Sequence, residues 1–241
     1  MSLPVRVTFT RNGIWRGFVA AQPLAASVLL YGCVFGVLAG ESGLGWLQAT
    51  LMSVLMYSGS AQLAALQIGV TTALLPQLIA AVFLLNARYL LFGAALRPWL
   101  AWIRPWQAWA TLYFNGDGSW AMAMKRYADG ERDAGFVFGA GFAMFMPWVF
   151  GTWAGHQAAS WVPDPKALGL DFMLAGFATA IAVGSWRGRS DILPALIAAA
   201  VAVICVFALP SGWHIVAAGL AGGLVGALRS EDRSDDGSER H

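Results

Sequence analysis

Two charged side chains stand inside apolar runs: Arg88 in Asn86-Ala87-Arg88-Tyr89, and Asp117 in Asn115-Gly116-Asp117-Gly118-Ser119. A charge at the centre of a bilayer costs from ~3 to more than 10 kcal/mol, and such a residue pairs with another group or faces water. Arg88 lies a little over two turns before the interface-like Arg97-Pro98-Trp99. Reaching that interface would take ~13 Å along the helix at 1.5 Å per residue, so an internal role is expected. Asp117 is the one acid in the middle of an apolar stretch; Glu41, Asp164, Asp171 and Asp191 fall at ends or in loops. Two chemistries fit these charges. They form a static ion pair, or a pair that opens to take a ligand. The carboxylate also suits a proton or cation site.

Two further clusters interrupt apolar runs. Tyr57-Ser58-Gly59-Ser60-Ala61-Gln62 combines small and polar residues. They suit a close helix seam, or an unwound segment whose amides hold a carboxylate and whose carbonyls hold an ammonium group. Gln22-Pro23 removes a helix hydrogen bond, which makes either a packing kink or a functional break. The candidate ligand-binding set is therefore Pro23, Ser58, Gly59, Ser60, Gln62, Asn86, Arg88 and Tyr89. Asn115, Asp117 and Ser119 are the candidate ion-coupling set.

A different chemistry uses Ser58 or Ser60 as nucleophile with His156 or His214 as base, an intramembrane hydrolase. Met56 stands where a glycine usually precedes such a serine, and both histidines lie near the ends of apolar runs, so catalysis is not expected. A passive channel for small neutral solutes is the remaining alternative. No HExxH, CxxC, GxGxxG or GxxxxGK(S/T) motif occurs, so neither a metal nor a cofactor is expected, and energy must come from a gradient or the substrate.

The elements that must position these residues are membrane helices. The chain has 241 residues, 58% hydrophobic and 12% charged, with 12 Trp and 14 Phe. A soluble domain carries far more charge, and the net charge of +2 gives no reason to expect nucleic acid. Apolar runs occupy about 17–40, 46–68, 72–95, 105–124, 135–157, 168–186, 191–209 and 212–228, each near the ~20 residues that cross a bilayer. The expected fold class is all-α, a polytopic transmembrane bundle of 7–8 spans in a single domain, 1–228, embedded in lipid. The first run resembles a signal peptide but reads as a retained helix. The charged segment 229–241 reads as a disordered polar tail. Cys33 and Cys205 lie inside apolar runs and read as free thiols.

An internal repeat is visible. Val34-Phe35-Gly36-x-x-Ala39-Gly40 returns as Val149-Phe150-Gly151-x-x-Ala154-Gly155, and Leu75-Pro76-x-Leu78-Ile79-Ala80-Ala81 as Leu193-Pro194-x-Leu196-Ile197-Ala198-Ala199. Between them, Gly43-Leu44 matches Gly169-Leu170. The repeat units run about 14–97 and 135–209, and duplicated membrane units most often build transporters. Run 105–124 decides their relation. If it crosses, the repeats run parallel; if it dips in and returns, they are inverted. With eight spans, Arg6, Arg11, Arg16, Lys125, Arg126, Arg132, Arg187 and Arg189 fall on the cytoplasmic side with the N-terminus, while Arg97, Arg104 and Lys166 fall outside.

At these clusters the sequence resembles the AzlC-like branched-chain amino acid permease family. The carriers are Gly17…Pro23…Gly32…Phe35-Gly36, Met52-Ser53…Ser58-Gly59-Ser60-Ala61-Gln62, and Asn86-Ala87-Arg88-Tyr89-Leu90-Leu91-Phe92-Gly93-Ala94-Ala95-Leu96, which is similar to the family's NLRHLLYGASL. Pro163-Asp164-Pro165-x-Ala167-Leu168-Gly169-Leu170-Asp171-Phe172 is close to its PDPxALGLDF. One departure is Asn115-Gly116-Asp117-Gly118-Ser119 where the family reads TDE(T/S)FA, so one carboxylate is lost. The resemblance implies an inner-membrane exporter of leucine, isoleucine and valine, often with methionine. It also implies a small AzlD-like membrane subunit of about four spans; a higher oligomer is left open.

Overall fold

The computed structural model describes residues 7–69, 75–161, 169, 172, 179, 183, 186, 188–208, 217–226 and 228. The tail 229–241, His214 and most of the run 168–186 lie outside them. Among the described residues the chain is helical, with one isolated backbone bridge between Thr8 and Asp133. The helices are α1 (Arg11–Ala20), α2 (Gln22–Glu41), α3 (Trp46–Met56), α4 (Gly59–Ile68), α5 (Leu75–Asn86), α6 (Arg88–Leu100), α7 (Pro105–Tyr113), α8 (Asp117–Ala128) and α9 (Gly135–Ala158). Ile192–Ala208 and Ala217–Gly226 are also helical. Among the described residues three segments are long and apolar enough to cross a membrane: Gln22–Glu41, Leu75–Leu100 and Gly135–Trp161.

The chain divides into two compact units, 1–62 with 86–170, and 63–85 with 171–241. The first is built on α9. Helices α1 and α2 form one rod jointed at Ala21, whose N–H still bonds Gly17 O and whose carbonyl still receives Ala25 N–H. This rod packs along α9 through small residues. Gly13 meets Asp133, Gly17 meets Phe136, Gly32 meets Gly151, and Gly36 meets Thr152 and His156. Both sequences rise together along the seam, so the rod and α9 run parallel. One carboxylate ties their starts: Asp133 accepts from Thr10 N–H at 3.0 Å, from Gly135 N–H at 3.0 Å and from the Thr10 hydroxyl. The Thr10 hydroxyl oxygen in turn caps α1 by accepting from Gly13 N–H at 2.9 Å.

The repeated VFGxxAG motif is this seam. A Cβ added at Gly36 would stand 2.6 Å from His156 N, and one at Gly155 would stand 2.6 Å from Cys33 Cα. Small residues in such positions let backbones approach closely where lipid provides no hydrophobic drive. The other motif has a simpler local cause. Leu75-Pro76 and Leu193-Pro194 each open a helix, where proline costs no hydrogen bond.

Helices α3 and α8 run against α9. From Leu44 to Tyr57 the partners on α9 descend from His156 through Thr152 to Phe145. From Gly118 to Arg126 they descend from Met144 to Phe136. Helix α7 climbs the other way. Trp106 sits on Phe9 at 6.4 Å, near the start of α9, whereas Phe114 packs on Phe138, Phe142 and Phe145 at 5.0–5.5 Å. Run 105–124 therefore enters unit 1 from one end, turns at Phe114–Gly116 and leaves by the same end. Its helices of 9 and 12 residues are each too short to cross. Of the two readings left open for this run, the structure takes the one in which it dips in and returns. It also separates two expectations that the sequence had linked: the run returns, yet the motif-bearing helices are parallel. The reason lies in 46–100. Leu44 lies by the end of α9, while Leu100 and Ile103 join Ala134 and Val137 at its start. The two ends of that segment therefore lie at opposite ends of unit 1.

The same geometry corrects the sidedness of two arginines. Arg97 and Arg104 flank the Trp99–Tyr127 and Phe9–Trp106 contacts. They lie at the end holding Arg16, Lys125, Arg126 and Arg132, not the opposite one. In the second unit, Leu84 packs near Gly219, and Ala198 near Gly222. Helix Ile192–Ala208 exposes Leu196, Val203, Ile204 and Phe207, as a lipid-facing helix does.

Candidate functional site

Run 46–68 also breaks in its middle. Helix α3 ends at Met56, and Tyr57 has φ 27° and ψ 54°, a left-handed conformation that costs a non-glycine residue of order 1–3 kcal/mol and is held only by its surroundings. The bend is sharp. Gln62 Nε2 donates to Ser53 Oγ at 2.9 Å, although nine residues of straight helix would separate them by ~13.5 Å.

Gln62 then fastens the break to α9. Its Oε1 accepts from Trp148 Nε1 at 3.1 Å. Ser53 Oγ shares a hydrogen bond with Thr152 Oγ1 at 2.8 Å, and Thr152 donates to Trp148 O at 3.0 Å. Ser53, Gln62 and Thr152 are fully buried, and such buried polar groups hold a fold only when satisfied together. Gln62 is thus committed to this network. Gly59 lets the Trp148 ring lie on the turn, since a Cβ there would stand 2.9 Å from the indole.

Three interruptions meet in unit 1. Arg88 Nη2 lies 3.1 Å from Asp117 Oδ2 and donates to Ser60 Oγ at 2.9 Å. Its guanidinium stands 5.3 Å from the Tyr89 ring centre. Tyr89 donates to Tyr57 O at 3.4 Å, and Gly116 sits against the Tyr57 ring. Tyr113 donates to Val54 O at 2.5 Å, so a hydroxyl from the last residue of α7 satisfies a carbonyl freed where α3 ends. At the start of α8, Ser119 Oγ donates to Asn115 Oδ1 at 3.1 Å and accepts from Gly116 N–H at 2.8 Å.

The structure thus brings together Ser60, Arg88, Tyr89 and Asp117, with Ser58, Asn86, Asn115 and Ser119 as chain neighbours in the three breaks. Pro23 is exposed and opens α2, outside these contacts. The pair is accessible: the Asp117 side chain is 49% exposed and that of Arg88 24%. Around it, Ser58 Oγ, Asn86 Oδ1 and Arg88 Nε are buried without a hydrogen-bond partner among the described residues. Unsatisfied buried polar atoms are rare and demand an explanation. Here they are two acceptors, a hydroxyl donor and a guanidinium N–H gathered beside the ion pair.

Sequence reasoning missed Tyr113, Trp148 and Thr152, and used Ser53 only as part of a motif. An aromatic or threonine in an apolar helix gives no local sign of its partner. His156 is held elsewhere, its Nε2 2.8 Å from Leu44 O, so it does not meet Ser58 or Ser60. Among the described residues no cluster of His, Cys, Asp and Glu could hold a metal, and Cys33 and Cys205 are free thiols.

The model of the family described as AzlC protein matches residues 23–162, a stretch that contains all three breaks. No curated protein and no solved structure matches the chain.

Proposed function

Since this chain belongs to the AzlC protein family, a family associated with membrane transport, we propose that it exports branched-chain amino acids. Leucine, isoleucine and valine, with methionine, are the substrates. The observation that carries this reading is the accessible Arg88–Asp117 pair where three chain breaks meet. An α-amino acid presents one carboxylate and one ammonium group. Arg88 with Ser58 and Ser60 matches the first, and Asp117 matches the second. Substrate sites of transporters are commonly built from interrupted helices whose freed backbone groups face the ligand. The neighbourhood offers aromatic walls, Tyr57, Tyr89 and Phe145, and no further charge contacts the pair among the described residues. That composition favours an uncharged side chain.

Asn115, Asp117 and Ser119 at the start of α8 are the coupling group in this reading, because a carboxylate that changes partner can exchange a proton or cation with substrate. The protein works in the inner membrane as the large subunit beside a small AzlD-like subunit. Its N-terminus is cytoplasmic. The gathering of Arg16, Arg97, Arg104, Lys125, Arg126 and Arg132 at one end of unit 1 supports that orientation. The paired motifs support a duplicated transporter domain over 1–228.

The test is counterflow of labelled leucine in proteoliposomes, with and without the small subunit. Uptake against unlabelled internal leucine, competed by isoleucine but not by lysine or glutamate, is expected. Equal competition by lysine or glutamate, or full activity of the single chain, removes the substrate or the partnership respectively.

A further inference from the structure

The end of unit 1 where the arginines gather holds a groove that transport does not use. Its volume is about 370 Å³, and it is lined by Trp15, Arg16, Val19, Ala20, Arg126 and Phe136. The cause is the α1–α9 seam. With Gly13 and Gly17 turned onto α9, the next residues of α1 form one wall, and the last turn of α8 brings Arg126 to the other. The two cations differ. Arg16 is committed to Glu131 at 2.6 Å, with Asp133 at 3.8 Å. Burial pushes the Glu131 carboxyl up, but the Asp133 N–H, the Arg16 guanidinium and the Arg132 N–H outweigh it, holding it below the ordinary glutamate value. Glu131 therefore stays charged and keeps Arg16 at the rim. Arg126 is exposed, lies 5.4 Å from the Phe136 ring centre, and makes no ion pair among the described residues.

We propose that this groove holds an anionic phospholipid, its phosphate on Arg126 beside Arg16 and an acyl chain along Trp15 and Val19. Charge and shape both select that occupant. A soluble anion would match the guanidinium but not the apolar wall. That wall is open to the surroundings, with Trp15 64% and Val19 50% exposed. A zwitterionic lipid would match the wall but gain nothing net from the basic end. Basic pockets between membrane helices recognise anionic headgroups in this way.

The test is native mass spectrometry of the purified full chain with phosphatidylglycerol or phosphatidylcholine of identical chains. The wild type should retain one phosphatidylglycerol and little phosphatidylcholine. Arg126→Gln should lower the phosphatidylglycerol-bound fraction about fivefold, while Lys125→Gln, an equal charge loss outside the groove, leaves it unchanged. Trp15→Ala should also lower it, which keeps the test open if Arg126→Gln fails to fold. Equal retention of both lipids, or unchanged binding in folded Arg126→Gln or Trp15→Ala, overturns the proposal. Displacement of the lipid by glycerol 3-phosphate at matched concentration also overturns it, by showing a site for free phosphate. None of these readouts depends on transport.

Discussion

Arg88 and Asp117 each make sense only through the other. Either charge alone is expensive at membrane depth, but the pair is partly open, so water screens it more than a buried bridge. A coupling of about 0.5–3 kcal/mol is expected for residues in contact. Arg88→Ala and Asp117→Asn should each reduce leucine counterflow strongly, and the double variant should lose less than the sum of the singles. Strict additivity would show that the two act apart. Gln62 belongs to a different group. Its amide joins Ser53 to Trp148 inside the protein, so Gln62→Leu strands buried polar atoms at about 1–3 kcal/mol. A lowered melting temperature in detergent is expected; an unchanged one would show that the network does not hold the break.

At the scale of elements, the glycine seam and the returning hairpin decide what the molecule can be. Gly36→Leu forces a branched side chain against the Thr152 and His156 backbone, and overpacking of this kind costs at least about 1–3 kcal/mol. Loss of the folded peak in size-exclusion chromatography should follow, whereas Gly43→Ala, with nothing within 4 Å, should keep it despite its positive φ. The hairpin can be tested by labelling. Single cysteines at Ile103 and Asp129 should react with a membrane-impermeant thiol reagent from the same side; reaction from opposite sides would restore a through-span. Much of this level was legible in the sequence. The apolar runs are long, and the clusters at Ser58–Gln62, Asn86–Tyr89 and Asn115–Ser119 mark the positions where helices are interrupted. The direction taken after each break was not legible, because an apolar helix has the same composition whether it continues or reverses. The VFGxxAG repeat was visible as a repeat, but its meaning as a contact appeared only when Gly36 and Gly155 were seen against the facing backbone.

At the largest scale, the parallel rod and α9 form the frame of unit 1, against which three interrupted runs bring their broken ends together. Such an arrangement holds polar groups in a membrane only where they line protein or a cavity, and a zwitterion is the proposed guest because it would satisfy both charges at once. The most direct measurement is inhibition of leucine counterflow, with the small subunit present, by compounds that carry leucine's side chain but lack one charge. Isoleucine should compete fully, while isoamylamine and 4-methylpentanoate, lacking the carboxylate and the ammonium group respectively, should not compete at the same concentration. Competition by either single-charge compound as strong as that of isoleucine would contradict a site in which Arg88 and Asp117 divide between them the two ends of an amino acid.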